Sequence, residues 1–390
     1  MAETTRRRRR KGRRTFGATR QLPSGRWQAS YLAPDGTRRV APETFAEAAD
    51  AAAWLRQAES SISKGTWRPP ELASETFGSY GARWLTQRPD LRPRTHELYA
   101  LLWRRWLEPD LGPVKLSTMS PESWRAWWAT TRAAHPGSTQ PDKAYRLARA
   151  MLNQAVDDGI LAANPCRVKG AGREHAAERP VVMPDQVARI AEAIDGRYRA
   201  MVLLAAYGSL RFGELAGLRR DRVDLLHRTV RIDQQAVELA DGRVIFGEPK
   251  SEAGRRSVAI PDELAGVLDG HLLDHVGPEP NALVFTSPEG HPLRRTKFRS
   301  RWRAACEAAG ISGLRFHDLR GSGATWAATT GATVSELMSR LGHATPTVAM
   351  RYQHATTERD QAIAERLGAL MRAAGEMPRP DAAPVVRIDH

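Results

Sequence analysis

Arg211 and Glu214, three residues apart, form the first pair in this sequence with an arrangement suited to binding an anion. Residues at this spacing share one side of a helix, so the carboxylate can orient the guanidinium. Apolar residues surround the pair, with Met-Val-Leu-Leu-Ala-Ala at 201–206 and Leu215 and Leu218 after it. A partly buried arginine with one acidic partner keeps donors for a phosphate. The pair indicates a phosphate-binding position, although an isolated pair of this kind is more often a surface ion pair.

Two further motifs supply a lysine and a second arginine with a histidine. Lys250 lies in a turn that leads into the predicted strand 255–260, which ends in the apolar residues Val-Ala-Ile. His317 and Arg320 are three residues apart, so their side chains point the same way along one helical turn. Each motif is common by itself. Together they add the cations and the imidazole that phosphate chemistry uses.

The last motif surrounds His343 and Tyr352 and contains clear helix boundaries. Thr333 and Glu336 form a capping box at the start of a helix, and Gly342 stands where the end of a helix favours a left-handed residue. A Thr-Pro pair then begins a second helix. The sequence therefore predicts a helix, a sharp turn that carries His343, and a helix that carries Tyr352.

Taken in order, these residues resemble the active-site signature of the tyrosine recombinases, the phage integrase family. The resemblance rests on one ordered set: Arg211, Lys250, His317, Arg320, Leu341-Gly342-His343 and Tyr352. The spacings are 3 residues from His317 to Arg320, 23 from Arg320 to His343 and 9 from His343 to Tyr352. One departure is Gly321, where the family often has a histidine at a position outside the core catalytic set.

The resemblance implies a site-specific DNA recombinase (integrase) that integrates or excises a mobile element. Tyr352 would attack a phosphodiester and form a 3′-phosphotyrosyl bond, which a 5′-hydroxyl later reverses. Arg211 and Arg320 would stabilise the charge on the phosphate oxygens with bidentate hydrogen bonds. Because the covalent intermediate retains the bond energy, we expect no metal, ATP or other cofactor.

The remaining site residues have roles in proton transfer or in support. Lys250 is the candidate general acid for the leaving 5′-oxygen, because an arginine does not release a proton near neutrality. His317 and His343 would bind the phosphate, and His317 is the candidate acceptor of the tyrosine proton. We interpret Glu214 and Asp318 as structural partners, since a carboxylate beside the phosphate would repel it.

The elements that position these residues belong to a multidomain, mainly α-helical chain with five segments. A disordered basic arm, 1–14, precedes a small β-β-α domain, 15–68, that resembles the arm-type DNA-binding domain of integrases. A helical bundle, 76–168, resembles the family's core-binding domain. The catalytic domain, 180–371, is mixed and mainly α with a small antiparallel sheet, and a disordered tail follows at 372–390.

Local patterns predict elements inside these segments. In the first domain we expect strands at 26–32 and 37–40 and a helix at 45–62. In the bundle, six tryptophans are predicted to be core residues. The catalytic domain should carry four strands, and a linker should precede it. The expected strands are 229–232, 235–239, 243–247 and 255–260, and the expected linker is 164–180.

Composition agrees with a nucleic-acid partner. The 390 residues include 59 Lys and Arg against 44 Asp and Glu, a net charge of +15, in a chain of ordinary 41% hydrophobic content. Residues 1–20 hold nine cations and one acid, so they contribute +8. Such a charge favours binding to a polyanion, with nucleic acid as the first candidate and an anionic membrane as the second.

Cys166 and Cys306 cannot form a disulfide framework, and no secretory signal or 18-residue apolar window is present. We expect a protein of the bacterial cytoplasm, associated with the nucleoid and not with membrane.

The predicted partner is double-stranded DNA at separate core and arm attachment sites. Five residues of the first domain are candidates for arm contacts, although a solvated sheet face explains them equally well: Arg26, Trp27, Gln28, Arg38 and Arg39. The resemblance further implies a homotetramer on two duplexes, with an excision factor or a host DNA-bending protein as further partners.

Two alternatives stay open from the sequence. A type IB topoisomerase uses similar phosphotyrosyl chemistry, but that family lacks the arm-type module and usually places its tyrosine after a long linker. A non-catalytic DNA-binding regulator would have no need of all six catalytic residue types in order. A metal-dependent transposase is disfavoured because no comparable trio of acids occurs, and a serine recombinase because its N-terminal catalytic segment is missing.

Overall fold

The protein is described here from a computed structural model. The described residues are 16–65, 67, 69, 74–173, 180–350 and 357–373. The chain divides into two compact units, Met1–His175 and Ala176–His390. No helix in the described part of the chain is both long and apolar enough to cross a membrane.

The first unit begins with a three-stranded antiparallel sheet and one helix. Strands β1 (Ala18–Gln21), β2 (Trp27–Leu32) and β3 (Arg38–Val40) pair in that order, and helix α1 (Ala48–Ser63) follows. The sequence predicted β2, β3 and the helix but missed β1. Strand β1 is exposed along most of its length and has no apolar alternation, so its own sequence does not predict a strand. Pairing with β2 stabilises it.

The two faces of this sheet differ in chemistry. Ala29 and Tyr31 of β2 are buried against α1, where Leu55 completes the small core. The opposite face is not covered by α1, and the register places Arg20 opposite Gln28 and Arg38 opposite Leu32 there. Side chains directly opposite each other share a face, so this open face combines cationic, amide and apolar groups.

A helical bundle forms the rest of the first unit. Its elements are α2 (Phe77–Thr86), α3 (Pro93–Leu102), a π-helical turn (Trp103–Leu107), α4 (Glu108–Leu111), α5 (Pro121–Ala134) and α6 (Gln140–Asp157). The prediction that its tryptophans form the core is confirmed for five of the six, and Trp128 packs at the edge of the same core.

The predicted linker 164–180 begins later than expected. Asn164 donates to the Arg149 carbonyl, Cys166 is buried, and the Val168 N–H lies 2.6 Å from the Tyr145 hydroxyl. Residues 164–168 therefore pack on α6 and belong to the bundle. Proline and polar residues suggested a linker, but the side-chain amide of Asn164 satisfies backbone groups that a free linker would leave to water.

The second unit is mainly helical. Its helices are α7 (Pro184–Ala193), α8 (Gly196–Tyr207), α9 (Phe212–Ala216), α10 (Asp262–His275), α11 (Arg295–Ala308), α12 (Phe316–Thr329), α13 (Val334–Leu341), α14 (Pro346–Ala349) and α15 (Thr357–Ala373). One apolar core joins α7 to α12, with α8 buried along most of its length.

The four predicted strands of this unit are confirmed, but they form two separate sheets. Strands β5 (Thr229–Ile232) and β8 (Arg256–Ala259) pair with each other, and the short β4 (Val223–Asp224) extends that sheet. Strands β6 (Gln235–Glu238) and β7 (Val244–Gly247) form a hairpin around the predicted Asp-Gly turn. The mainly α-helical fold with small antiparallel sheets agrees with the sequence prediction.

Candidate active site

Arg211 is the N-cap of the short helix α9, four residues after the end of α8. Its backbone N–H donates to one carboxylate oxygen of Glu214 at 2.8 Å, and its guanidinium donates to the other at 2.6 Å. These bonds close a capping box and orient the guanidinium. The Arg211 side chain keeps 36% exposure, so it can still meet a ligand from solvent.

Glu214 is buried between two arginines. Its carboxylate also accepts two hydrogen bonds from the Arg256 guanidinium, at 3.0 and 3.1 Å. Burial raises the pKa of Glu214, but the hydrogen bonds and charge of Arg256, together with the charges of Arg211 and Arg320, outweigh that effect and lower it to about 2. Glu214 is thus a fixed anion that orients cations, as the sequence predicted for a structural partner.

Arg320 is a buried cation, 3% exposed, on the second turn of α12. Its guanidinium donates to the carbonyl oxygens of Ser209 and Leu341. A guanidinium nitrogen also lies 3.2 Å from Nε2 of His343. Because an arginine has only donors, Nε2 must accept, which leaves the proton of neutral His343 on Nδ1.

The imidazole of His343 is held neutral. Burial, followed by the charges of Arg320, Arg211 and Arg256, lowers its pKa to about 4. Its Nδ1 atom is buried and has no hydrogen-bond partner among the described residues. The ring is therefore fixed by Arg320 on one side and retains one unused donor on the other.

The turn at Gly342 connects these groups to a second loop. Gly342 ends α13 in the left-handed conformation, with φ of 61°, as the sequence predicted, and its carbonyl lies 3.4 Å from an Arg211 guanidinium nitrogen. A Cβ atom here would lie 2.7 Å from the carbonyl oxygen of Ala253. The turn needs glycine both for its backbone conformation and for its close approach to the loop that carries Lys250.

The other predicted residues lie on elements that adjoin this centre. Lys250 is exposed in the loop between β7 and β8, and His317 is exposed one turn before Arg320 on α12. Tyr352 lies outside the described residues. The structure thus brings Arg211, Arg320 and His343 together directly, and it brings the Lys250 loop against their turn.

Two residues at this centre were missed by the sequence analysis. Ser209 has a positive φ of 55°, and Arg256 has a side chain that is only 5% exposed. Strand alternation could have identified Arg256, because Val258 and Ile260 on the same face are buried whereas Arg255 points outward. No local pattern signals the conformation of Ser209.

The predicted arm-contact residues fall on different sides of the N-terminal sheet. Gln28 and Arg38 lie on the open face, and Arg38 is 3.3 Å from the Ser30 hydroxyl. Trp27 packs against the core on the helix side, and Arg39 pairs with Asp35 on that side at 2.9 Å. The fifth residue, Arg26, donates to Thr44.

Within the described ranges, no three His, Cys, Asp or Glu side chains are grouped so that they could hold a metal ion. Among the tyrosines, Tyr31, Tyr80, Tyr145 and Tyr198 are buried. Their hydroxyls are therefore poorly placed to meet a large external substrate.

Comparison with known proteins gives matches over nearly the whole chain. Residues 180–359 match the phage integrase family, and residues 15–64 match the phage integrase N-terminal domain. A putative prophage phiRv2 integrase of Mycobacterium tuberculosis is 39% identical over 379 residues, 95% of this chain and 98% of that protein. The integrase of Mycobacterium phage L5 is 37% identical over 374 residues, 92% of this chain and 99% of the phage protein.

Solved structures agree at the level of the fold. The Tn1549 transposon integrase in complex with a circular intermediate DNA superimposes with a TM-score of 0.67 at 18% identity, over 75% of this chain and 100% of that one. A lambda integrase tetramer bound to a Holliday junction gives 0.53 at 16% identity, over 86% and 94%. On the sequence matches, this chain belongs to the phage integrase family and is a site-specific recombinase of the tyrosine class.

Proposed function

We propose that this recombinase cleaves and rejoins DNA through a 3′-phosphotyrosyl bond to Tyr352, as an integrase of a mobile element. The observation that carries the proposal is the convergence of Arg211, Arg320 and His343 from three separate segments. Charge supports it as well, because three arginines, Arg211, Arg320 and Arg256, act on the buried carboxylate of Glu214. An excess of fixed positive charge suits a phosphodiester whose transition state gains negative charge.

In the proposed cleavage step, the Tyr352 oxygen attacks the phosphorus and the bond from phosphorus to the 5′-oxygen breaks. Lys250 gives a proton to the leaving 5′-oxygen, and His317 accepts the proton of Tyr352. Religation runs the same steps backwards with a 5′-hydroxyl from the other duplex. His343 is a poor base, because its pKa is about 4 and its Nε2 lone pair already faces Arg320. We therefore assign His343 to phosphate binding and not to proton transfer.

The DNA partners follow from the chain's relatives and from its charge. A Tn1549 integrase and a lambda integrase, both of this fold, were solved with DNA, the latter as a tetramer on a Holliday junction. By analogy we assign to this chain double-stranded core and arm sites and a homotetramer, with an excision factor or a host DNA-bending protein as accessory partners. The proposed place of action is the bacterial nucleoid.

We propose domain roles with the boundaries expected from the sequence: arm binding for 15–68, core binding for 76–168 and catalysis for 180–371. The proposed disordered arm, 1–14, and nearly all of the tail, 372–390, lie outside the described residues. For arm DNA we favour the open face of the N-terminal sheet. Arg20, Gln28 and Arg38 can donate there to base edges or phosphates, and Leu32 offers an apolar contact.

A nicked suicide substrate tests the chemistry. The duplex spans the element's attachment site and carries a nick beside the scissile phosphate, so cleavage releases a short strand and traps the covalent adduct. We expect a protein-DNA band on a denaturing gel that Tyr352→Phe abolishes and Tyr207→Phe, a matched change at a half-buried tyrosine, retains. Arg211→Ala or Arg320→Ala should lower the rate by about 100-fold or more. An adduct that persists in Tyr352→Phe would assign the nucleophile to another residue.

A further inference from the structure

Arg256 connects the segments that carry the proposed catalytic residues. Its side chain is 5% exposed at the start of β8. Its guanidinium donates to both carboxylate oxygens of Glu214, at 3.0 and 3.1 Å. It also donates to the carbonyl of Gly254 at 3.1 Å and, through Nε, to the carbonyl of Arg340 at 2.8 Å.

Each of these acceptors belongs to a different part of the site. Glu214 orients Arg211. Gly254 ends the loop that carries Lys250, and Arg340 lies three residues before His343 at the end of α13. One side chain therefore holds three segments that are distant in sequence.

We propose that Arg256 is a positioning residue for strand cleavage. It fixes the relative positions of the segments that carry Arg211, Lys250 and His343. The inference rests on the proposed function. All three guanidinium nitrogens of Arg256 already donate hydrogen bonds within the protein. We therefore assign it an action through Glu214 and the two carbonyl groups, and no contact to DNA.

Only an arginine has the geometry for this task. The planar guanidinium presents donors in a fixed fork, so it can bind a carboxylate with two nitrogens while Nε serves a third acceptor. A lysine in its place keeps the buried charge that Glu214 needs but has a single nitrogen, which cannot reach all four acceptors at once. The segments would then keep their fold and lose their mutual alignment.

The test compares Arg256→Lys with Arg255→Lys in the full-length protein. Arg255 is the next residue in the chain, exposed and paired with Glu248, so it is a matched control. Three quantities are measured: the single-turnover cleavage rate on the suicide substrate at saturating DNA, the Kd for that DNA, and the melting temperature. Rates are taken well below each melting midpoint, so that all variants are folded.

We expect Arg256→Lys to slow cleavage by about 10- to 100-fold, the cost of a misplaced catalytic group, with little change in Kd. Arg255→Lys should stay within about threefold of the wild type in rate. A rate for folded Arg256→Lys within that same range, or a defect confined to Kd, would overturn the proposal.

A double-mutant cycle provides a second measurement that a purely structural role would not satisfy. If Arg256 acts through Glu214, combining Arg256→Lys with Glu214→Gln should slow cleavage hardly more than the slower single variant. If the double variant lost the product of the two single-variant rate reductions, the action of Arg256 through Glu214 would be contradicted. Failure of the proposed function is distinguishable, because the wild type would then form no Tyr352-dependent adduct at all.

Discussion

Arg320 donates a hydrogen bond to Nε2 of His343 across 3.2 Å, which joins the second turn of α12 to the turn after α13. The contact selects the tautomer of the imidazole and holds it beside a permanent positive charge. A protonated His343 would have no lone pair to accept this bond and would be repelled by Arg320. Burial of the ring, followed by the charge of Arg320, lowers the pKa of His343 and keeps it neutral, so the geometry of the site is linked to pH.

This contact predicts a specific loss of stability in acid. The pKa of His343 is lowered from 6.5 to about 4 in the folded protein, so the folded state binds fewer protons than the unfolded state between these values. Stability must then fall as the pH decreases from 6.5 towards 4. We expect His343→Gln to show a shallower fall in melting temperature over this window, with the difference from wild type levelling off below about pH 4. Parallel curves for wild type and variant would contradict the prediction, and His291→Gln, at an exposed histidine, is the control.

Ser209 predicts a stabilising substitution. Its φ of 55° is a conformation that costs a non-glycine residue about 1–2 kcal/mol, and its buried hydroxyl has no hydrogen-bond partner within the described residues. Ser209→Gly relieves both costs and adds some freedom to the unfolded chain. We expect the free energy of unfolding to rise by about 0.5–1 kcal/mol in urea titration.

The same change at an ordinary helical position provides the control. Ser300 is exposed within α11, where glycine is destabilising by about 0.5–1 kcal/mol. The two Ser→Gly variants should therefore differ in sign. If Ser209→Gly were destabilising too, the interpretation of strain at that residue would be wrong.

Gly342 predicts a substitution that damages both stability and cleavage. Gly342→Ala places a methyl group 2.7 Å from the Ala253 carbonyl in addition to its positive φ. Gly290 also has a positive φ, but a Cβ there would meet no atom within 4 Å in the described part of the chain. We expect Gly290→Ala to cost about 1–2 kcal/mol and Gly342→Ala about 1–3 kcal/mol more.

Cleavage separates the two glycine variants further. The Gly342 carbonyl contacts Arg211 and its turn carries His343, so Gly342→Ala should slow the suicide-substrate reaction, whereas Gly290→Ala should not. If the two variants had the same free energy of unfolding and the same cleavage rate, the close approach to Ala253 would contribute nothing to stability or cleavage.

The two faces of the N-terminal sheet predict opposite results for neighbouring arginines. Arg38 lies on the open face, whereas Arg39 lies on the helix side and pairs with Asp35. Arg38→Ala should weaken binding to arm-site DNA by about 1–3 kcal/mol, or reduce the slope of log Kd against log salt concentration by about one. Arg39→Ala should do neither. Fluorescence anisotropy at several salt concentrations measures both effects, with core-site DNA as the control duplex. Equal losses for the two variants would remove the assignment of the open face.

Local sequence patterns determined a large part of this protein. Local sequence determines the conformation of three features, because each involves only a few neighbouring residues: the capping box at Thr333, the left-handed Gly342 and the Asp-Gly hairpin turn. The ordered residue types from Arg211 to Tyr352 likewise identified the family and predicted its chemistry. Strand β1 was not predicted, because pairing with β2 stabilises it and its own sequence has no apolar pattern.

Only the tertiary structure decided how the site is held together. Arg320 reaches Ser209 across 111 positions, and Arg256 reaches Arg340 across 84. Neither contact leaves a local pattern, because which guanidinium is buried, and against which carbonyl, depends on how helices and strands pack. The sequence by itself predicted which groups perform the chemistry. Packing decided that His343 is neutral, that Glu214 is an anion shared by two arginines, and that Arg256 stands at the centre of the arrangement.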